Sequence, residues 1–293
     1  MKILFFLVII GLVFANQAII DEVNSKQNLW IAGTTKFSDW KTEDIKSFLK
    51  TDLKYSTPSD RVDNSWSTDL PDSYNFEEDY AQCSGHVQNQ AKCGSCWAFG
   101  TATSFAKRRC RAGLDTELVL YSEQELVSCD NSDSGCNGGN PEMACEFVVN
   151  TGLVSYDCFP YTSGNGNNGQ CKNECVTGTW DPKKMVANSC TEYQGVQDIA
   201  TAIYTKGPVC STMEVYADFL QYKGGIYKHT TGELLGGHAI TTVGWGVEND
   251  QAYWIVQNSW GTTWGEDGFF RIVRGTNDCQ IENFVIAGTP ATD

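Results

Sequence analysis

Thirteen cysteines lie between Cys83 and Cys279, and the part of the chain before Cys83 contains none. This many thiols is typical of a protein that folds in an oxidising compartment, where most of them pair as disulfides. Because thirteen is an odd number, at least one thiol lacks a partner within the chain, and such a leftover thiol is a candidate reactive group. The sequence therefore predicts a disulfide-stabilised domain behind an N-terminal segment of different character.

The first fifteen residues predict a cleaved signal peptide. Lys2 supplies a positive start, an apolar run extends from Ile3 to Phe14, and Ala15 ends a cleavage-site sequence. The alternative is a membrane anchor, but the run is too short to span about 30 Å of hydrocarbon, and no second run follows. The leader predicts entry into the secretory pathway, with a lysosome-like vacuole or the extracellular space as the destination.

Residues 16 to about 66 form a second segment, which we interpret as a propeptide. Helices are predicted over Ala18–Gln27 and Lys41–Leu53, and the latter carries acidic residues in its first turn. The polar stretch 57–65 is loop-like, and proteases cut such loops readily. An ordinary N-terminal arm is the alternative. The aromatic residues expected to contact the cleft of the mature protein are Trp30, Phe37 and Trp40.

The rest of the chain divides into a mostly helical part, residues 67–190, and a β-rich part, residues 191–293. Helices are predicted over residues 95–109, 122–128, 141–151 and 197–205. Strands are predicted over residues 209–215, 239–247, 253–258, 268–273 and 284–287. This order indicates an α+β protein with a possible cleft between its two halves.

The charge and composition exclude several kinds of partner. Aromatic residues make up 12% and apolar residues 41% of the chain, which is typical of a globular protein. The formal net charge is −15. A surface this acidic repels nucleic acid and anionic membranes, which argues against both as partners.

The stretch from Gln90 to Trp97, Gln-Ala-Lys-Cys-Gly-Ser-Cys-Trp, is the most specific motif of the chain. It places Cys96 in the first turn of a predicted helix, where the helix dipole favours the thiolate, the form that acts as a nucleophile. A charged histidine beside it would lower the pKa of the thiol further. The backbone N–H of Cys96 and the side-chain amide of Gln90 are candidate donors to the oxyanion formed at an attacked carbonyl.

Two other interpretations of Cys96 stay open at the level of the residues. In the first, Cys96 is one more disulfide-bonded cysteine. In the second, it forms a redox-active Cys-x-x-Cys motif with Cys93. A redox motif should close a strand of a βαβ unit. Residues 87–90 make a poor strand and no βαβ pattern follows, which disfavours the redox interpretation.

The chain has three histidines, so a proton partner for the thiol can be sought among them. His86 and His229 stand in polar surroundings typical of surface residues. His238 follows two glycines, which allow close approach of a backbone, and directly precedes a predicted strand that would hold it rigidly. Asn258, at the end of the next strand, is a candidate acceptor for the imidazole N–H, and Trp260 would keep water away from that bond.

These motifs resemble the papain family of cysteine peptidases, whose signature combines Cys-Gly-Ser-Cys-Trp with His and Asn far downstream. The 20-residue gap between His238 and Asn258 is similar to that of the cathepsin B branch. Further motifs similar to that branch are Trp30–Gly33, Cys136–Gly139, Gly236–Ala239, Gly244–Asn249, Asn258–Trp260, Trp264–Phe270 and Ala287–Pro290. The resemblance extends from about Leu70 to the C-terminus.

The resemblance implies a role for each matching residue. Cys96 is the nucleophile, His238 the acid and base, Asn258 its orienting partner and Gln90 the oxyanion donor. The residues implied to bind or border the substrate are Gly138, Gly139 and Gly237 at its backbone, Pro141, Ala239 and Phe284 in the S2 pocket, Trp260 over the Asn–His pair, and Trp264 on the primed side.

The resemblance also implies a papain-like two-lobed fold, with a helical left lobe, a β-barrel-like right lobe and the active-site cleft between them. The implied disulfides are Cys83–Cys110, Cys93–Cys136, Cys129–Cys171 and Cys158–Cys175, which leave Cys145, Cys190, Cys210 and Cys279 unassigned. The expected partners are protein and peptide substrates, the chain's own propeptide and cystatin-like inhibitors. A monomer without metal or cofactor is expected.

Two departures from cathepsin B affect the expected specificity. That branch carries a long occluding loop with two histidines, whereas here nine residues, Thr162 to Gln170, separate Tyr161 from Cys171, and none is histidine. This predicts endopeptidase activity rather than removal of C-terminal dipeptides. Phe284 stands where cathepsin B has a glutamate at the floor of S2, which predicts an apolar P2 residue because a buried unpaired charge is costly.

Two rival classes are a thiol–disulfide exchanger and a non-catalytic binding homologue of the same family. The binding homologue would lack the nucleophile, the base or the oxyanion donor, and the sequence contains all three. The sequence therefore favours a secreted zymogen that hydrolyses peptide bonds by acyl transfer.

Overall fold

The structure, a computed structural model of the chain, describes residues 16–53 and 69–292. The predicted signal peptide and the predicted cleavage loop lie outside these residues. No helix in the described ranges is both long and apolar enough to cross a membrane.

The N-terminal segment contains two helices and one strand. Helix α1 covers residues 16–26, strand β1 covers Trp30–Ala32, and helix α2 covers Thr42–Phe48. The sequence predicts α1 to within two residues at each end, but it does not predict β1. That strand forms because it pairs antiparallel with a strand of the main sheet, a partner that lies almost two hundred residues away.

The prediction of a helix over Lys41–Leu53 is wrong at its C-terminal end. The helix ends at Phe48, and Leu49 has φ −94° and ψ 76°, outside helical geometry. Beyond it the backbone bonds to two glycines, with Thr51 N donating to Gly237 O at 3.2 Å. Tertiary hydrogen bonds thus replace the helical ones, and context overrides local propensity.

The helical part consists of α3 (Phe76–Asp79), α4 (Cys96–Arg111), α5 (Glu123–Cys129) and α6 (Pro141–Asn150). Their starts follow from local chemistry. Ser122 Oγ accepts from Glu125 N at 2.9 Å at the start of α5, and Asn140 Oδ1 accepts from Glu142 N at 2.9 Å at the start of α6. These caps satisfy backbone donors that have no partner inside the helices.

The β-rich part is built on a nine-stranded sheet with α7 (Gly195–Lys206) packed against it. Its strands are β2 (Tyr74–Asn75), β3 (Thr191–Tyr193), β4 (Val209–Tyr216), β5 (Tyr222–Tyr227), β6 (Leu234–Glu248), β7 (Gln251–Gln257), β8 (Phe269–Val273) and β9 (Val285–Ala287). The strand order is β1-β5-β8-β7-β6-β4-β9-β3, and β2 pairs with β6. All pairs are antiparallel except β5 with β8.

Helix α4 joins the two halves, because it packs both on α6 and on β6. The terminal segments cross the predicted boundary at residue 190. Trp245 Nε1 donates to Pro71 O at 3.1 Å, which ties the start of the helical part to the sheet. Arg108 of α4 donates to Gly288 O at 3.2 Å, which ties the C-terminal segment to the helical part. The start of the helical part therefore packs on the sheet, and the C-terminal segment of the β-rich part packs on the helical part.

Five disulfides are present, and four of them have the pairings that the resemblance implies: Cys83–Cys110, Cys93–Cys136, Cys129–Cys171 and Cys158–Cys175. The fifth joins Cys145 of α6 to Cys190. Three cysteines are free and buried: Cys96, Cys210 and Cys279. The odd thiol count thus corresponds to three unpaired sulfurs, and only one of them lies in the motif at residues 90–97.

Candidate active site

Cys96 is the first residue of α4 and is fully buried. It has no disulfide, and Cys93 pairs with Cys136 instead, so the Cys-x-x-Cys pair is not a redox couple and Cys96 is not a bridged cysteine. Burial of the thiol acts to raise its pKa. The charge and hydrogen bond of His238, with Thr51 and the backbone at Ala239, act more strongly in the other direction and bring the pKa of Cys96 down to about 7.

His238 lies in β6 opposite Met213 of β4, so a sheet fixes its backbone. Its Nε2 atom is 2.7 Å from Asn258 Oδ1, and Ser259 N donates to the same oxygen at 2.8 Å. This oxygen accepts hydrogen bonds, so Nε2 carries the proton and leaves Nδ1 for the thiol. No nitrogen or oxygen of the described residues bonds to Nδ1.

Trp260 covers the His238–Asn258 pair. Its ring stacks on the imidazole with centroids 4.8 Å apart and an interplanar angle of 28°, and the residue is 1% exposed. An aromatic lid keeps bulk water from the hydrogen bond between the imidazole and the amide, and a hydrogen bond in such a low-dielectric place is stronger than one in water.

Gln90, the predicted oxyanion donor, is fully buried. Ser259 Oγ donates to its Oε1 atom at 2.8 Å, and its backbone N–H donates to Ser259 O at 2.9 Å. These bonds fix the orientation of the side chain. The amide NH₂ group then donates to Cys93 O at 3.0 Å and to Phe48 O at 3.3 Å. A carbonyl of the N-terminal segment thus occupies the position next to the amide donor.

Residues 49–53 cross the cleft directly above the thiol. Thr51 Oγ1 lies 3.0 Å from Cys96 Sγ. On one side Thr51 N donates to Gly237 O at 3.2 Å, and on the other Asp52 N donates to Gly139 O at 3.1 Å. The glycines are required here, because a Cβ on Gly237 would lie 2.2 Å from Thr51 O.

An aromatic cluster holds this segment in place. Phe37 and Phe48 stack on one another at 5.5 Å, and both contact the ring of Trp260, at 4.8 Å and 5.7 Å. Both phenylalanines are 1% exposed. Trp40 packs on both of them, and Trp30 Nε1 donates to Lys228 O at 3.0 Å. Of the three aromatic residues that the sequence suggests as cleft contacts, Phe37 therefore touches the site residue Trp260 directly. Trp40 packs behind it, and Trp30 packs on Tyr222 and Tyr227 of β5 instead.

Comparison with known proteins identifies the family. The family model described as "Papain family cysteine protease" matches residues 70–289. The chain belongs to the papain family of cysteine proteases. It is 41% identical to "Cathepsin B-like CP3" of Giardia intestinalis, over 92% of each chain. It is 35% identical to "Cathepsin B-like cysteine proteinase 3" of Caenorhabditis elegans, over 93% of this chain and 82% of that one.

Solved structures of papain-family precursors have the same fold. The chain matches "proCathepsin B S9 from Trypanosoma congolense" with a TM-score of 0.85 and 29% identity, over 94% of this chain and 98% of that one. It also matches digestive procathepsin L2 of Tenebrio molitor with a TM-score of 0.79 and 28% identity, over 95% and 91% of the two chains. These matches confirm the α+β, two-lobed papain fold, and they include the N-terminal segment.

The remaining predicted site residues lie around the thiol or beneath the cleft. Gly138 adjoins the crossing segment, since a Cβ on it would lie 2.2 Å from Lys50 O. Pro141, Ala239 and Phe284 are buried, and Ala239 and Phe284 share one hydrophobic cluster with Cys96. Trp264 is fully buried against Trp260, with ring centroids 4.8 Å apart. Their roles toward a substrate stay predictions.

The other histidines and thiols differ from the pair at the site. His86 is exposed, whereas His229 stacks on Tyr216 and its Nδ1 atom lies 3.2 Å from Asp218, whose hydrogen bond raises the pKa of His229. Burial raises the pKa of the Cys210 and Cys279 thiols far above the ordinary value. Neither thiol is therefore ionised near neutral pH.

The sequence interpretation misses three residues that shape the site. Thr51 sits above the thiol, and Ser259 holds the Gln90 amide from behind. Tyr161 donates to Gln90 O at 3.0 Å, and its hydroxyl lies 2.9 Å from Ser95 Oγ, so it links the amide donor to the start of α4. Of these three residues, only Ser259 had a signal in the sequence, because it directly follows Asn258. In the described ranges no His, Cys, Asp and Glu side chains cluster as metal ligands would.

Proposed function

We propose that this chain is the secreted precursor of a papain-type cysteine endopeptidase, in which Cys96 and His238 form the catalytic thiolate–imidazolium pair. The observation that carries the proposal is the arrangement at the head of α4. An unpaired thiol with its pKa near 7 interacts with an imidazole that Asn258 holds by a 2.7 Å bond. Acyl transfer requires a nucleophile, a base and a group that orients the base, and Cys96, His238 and Asn258 can fill these three roles.

The chemistry follows from this arrangement. The Cys96 thiolate attacks the scissile carbonyl, and its carbon becomes tetrahedral while the oxygen takes the negative charge. The Gln90 amide and the backbone N–H of Cys96 stabilise that oxygen. The imidazolium of His238 gives its proton to the leaving amine, and the C–N bond breaks. Water then loses a proton to His238 and attacks the acyl carbon, and the C–S bond breaks. This releases the acid product and restores the Cys96 thiolate beside the His238 imidazolium.

Residues 16 to about 66 act as the propeptide in this proposal. The Phe48 carbonyl accepts from the Gln90 amide, the proposed oxyanion donor, at 3.3 Å, and Thr51 Oγ1 lies 3.0 Å from the sulfur. A substrate needs both places, so the bound segment blocks catalysis until it is cut away. The signal peptide and the destination in the secretory pathway remain part of the proposal, as does cleavage near residue 66.

The matured protein is expected to cleave internal bonds, because the loop after Tyr161 is short and tied down. Its Thr162 N and Ser163 N donate to Gln124 Oε1 at 2.7 and 3.0 Å, and Asn168 O accepts from Ser128 Oγ at 2.6 Å. We expect a loop held on α5 in this way to leave the primed side of the cleft open, and the loop carries no histidine to bind a terminal carboxylate.

The test uses internally quenched peptides whose two ends are blocked. The matured protein should hydrolyse them, and should prefer P2 leucine or valine over P2 arginine because Phe284 offers no carboxylate to a cation in the predicted S2 pocket. Dipeptide removal from free C-termini with the blocked peptides spared would contradict the endopeptidase proposal. A clear preference for P2 arginine would contradict the S2 proposal alone.

A further inference from the structure

The two proposed donors to the oxyanion belong to separate segments of the chain. Gln90 offers its side-chain amide, and Cys96 offers the backbone N–H at the start of α4. Both donors have to lie at the correct distance from one oxygen, because a misplacement of about 1 Å at a reacting centre can reduce the rate about a hundredfold. Catalysis therefore depends on how firmly the spacing between Gln90 and Cys96 is fixed.

The Tyr161 hydroxyl connects these two segments. It donates to Gln90 O at 3.0 Å, and it lies 2.9 Å from the Oγ atom of Ser95, the residue directly before Cys96. A carbonyl oxygen only accepts, so the single phenolic proton goes to Gln90, and the Ser95 hydroxyl donates to the phenolic oxygen. The result is one directed chain of hydrogen bonds from Ser95 through Tyr161 to Gln90.

Ser95 does not play the role that its position usually has. A serine directly before a helix commonly accepts from a backbone N–H of the first turn. No such bond from the Ser95 side chain to α4 occurs among the described residues. Ser95 is fully buried, and its hydroxyl is used for the contact with Tyr161. The contact thus fixes where α4 begins relative to the Tyr161 loop, and it does not cap the helix.

Tyr161 is itself held in place. Its ring packs on Phe99 of α4, with ring centroids 4.9 Å apart and an interplanar angle of 76°, an edge-to-face contact. The next residue, Thr162, donates its backbone N–H to Gln124 Oε1 at 2.7 Å. A tyrosine fixed at its ring and at its backbone can hold the groups that its hydroxyl contacts.

We propose that Tyr161 is a positioning residue of the oxyanion site, whose hydroxyl fixes the spacing between the Gln90 amide and the Cys96 N–H. The hydrogen bonds of this hydroxyl go to Gln90 and Ser95, so its loss should weaken the stabilisation of the oxyanion and leave the thiolate–imidazolium pair intact. The inference rests on the proposed peptidase function and adds one residue to the stabilisation of its transition state.

The experiment uses Tyr161→Phe, which removes the hydroxyl and keeps the ring on Phe99. In the matured protein, kcat for a blocked peptide should fall about tenfold, less than the loss of about a hundredfold expected when an oxyanion donor is removed outright. KM should stay unchanged, because the oxyanion forms only after the substrate has bound. Alkylation of Cys96 by iodoacetamide forms no oxyanion, so its rate should equal that of the wild type.

A second variant, Ser95→Ala, breaks the same chain of hydrogen bonds at its other end. It removes no side-chain cap that the described residues contain, so it tests the contact with Tyr161 alone. It should lower kcat about as much as Tyr161→Phe does. The double variant should be little worse than either single variant, because each substitution releases the same spacing.

The matched control is Tyr121→Phe. Tyr121 also packs on a phenylalanine of α4, since its ring centroid lies 4.9 Å from that of Phe105, but its hydroxyl donates to Asp115 Oδ2 at 3.0 Å. This variant should keep the wild-type kcat, because Asp115 holds neither oxyanion donor.

A wild-type kcat for Tyr161→Phe would overturn the inference, and so would a fall in kcat that the iodoacetamide rate matches. Additive losses in the double variant would also overturn it. If Tyr161→Phe does not fold, the same two rates in Ser95→Ala decide. A wild type inactive on the blocked peptide would overturn the proposed function instead.

Discussion

Replacing Cys96 with alanine is expected to lower kcat/KM of the matured protein for a blocked peptide at least about a thousandfold. The reason is that no other group at the site can form the acyl-enzyme. His238 and Gln90 would remain in place, but they only move a proton and hold an oxygen. The measurement is peptide hydrolysis, with activation of the variant carried out by a separate protease because it cannot process itself.

The matched control is Cys210→Ala. Cys210 is the free thiol beneath α4, and its sulfur packs against the backbone at Gly100. It is fully buried, and burial holds its pKa far above neutral pH, so it takes no part in the chemistry. Each folded Cys210→Ala molecule should keep the wild-type kcat. Activity that survives in Cys96→Ala and disappears in Cys210→Ala would contradict the assignment of the nucleophile.

Replacing Phe48 with alanine is expected to uncover the thiol in the uncleaved precursor. Phe48 packs against Phe37, Trp40 and Trp260, and burying a phenylalanine of this kind is worth about 3–5 kcal/mol. Losing it should raise the population of precursor whose N-terminal segment has left the cleft. The rate at which iodoacetamide labels Cys96 should therefore rise at least about tenfold.

Intact mass separates labelled precursor from cleaved protein, so the rate refers to the uncleaved chain. Ile31→Ala is the control, because Ile31 belongs to the same segment but is 65% exposed, and its loss should leave the rate unchanged. Equal labelling rates for the two variants would show that the Phe48 contacts do not hold the segment over Cys96.

The arrangement of Cys96, His238 and Asn258 was predictable because each of these residues stands in a local motif. Cys96 is specified by its place before a helical pattern, and His238 by the glycines before it and the strand after it. The extended conformation of residues 49–53 could not be predicted from local motifs. Nothing in Leu49–Leu53 breaks a helix, and the segment becomes extended only because Gly139 and Gly237, far along the chain, offer their carbonyls to it.

Strand pairing between segments far apart in the sequence could not be predicted either. Strand β5, Tyr222–Tyr227, contains two glycines and no alternation of polar and apolar residues, so its sequence does not identify it as a strand. It forms by pairing with β1 and β8.

The central claim is that Cys96 is an unpaired thiol ionised near neutral pH by its contact with His238. The most direct measurement is the ultraviolet absorbance of thiolate in the precursor, titrated from about pH 4 to about pH 9, as the difference between wild type and Cys96→Ala. We expect one thiolate per chain, with a midpoint that reflects the Cys96 pKa of about 7, so that the thiol is protonated below this pH and ionised above it. Identical curves for the two proteins, or a thiolate that appears only near the ordinary pKa of a free cysteine, would contradict it.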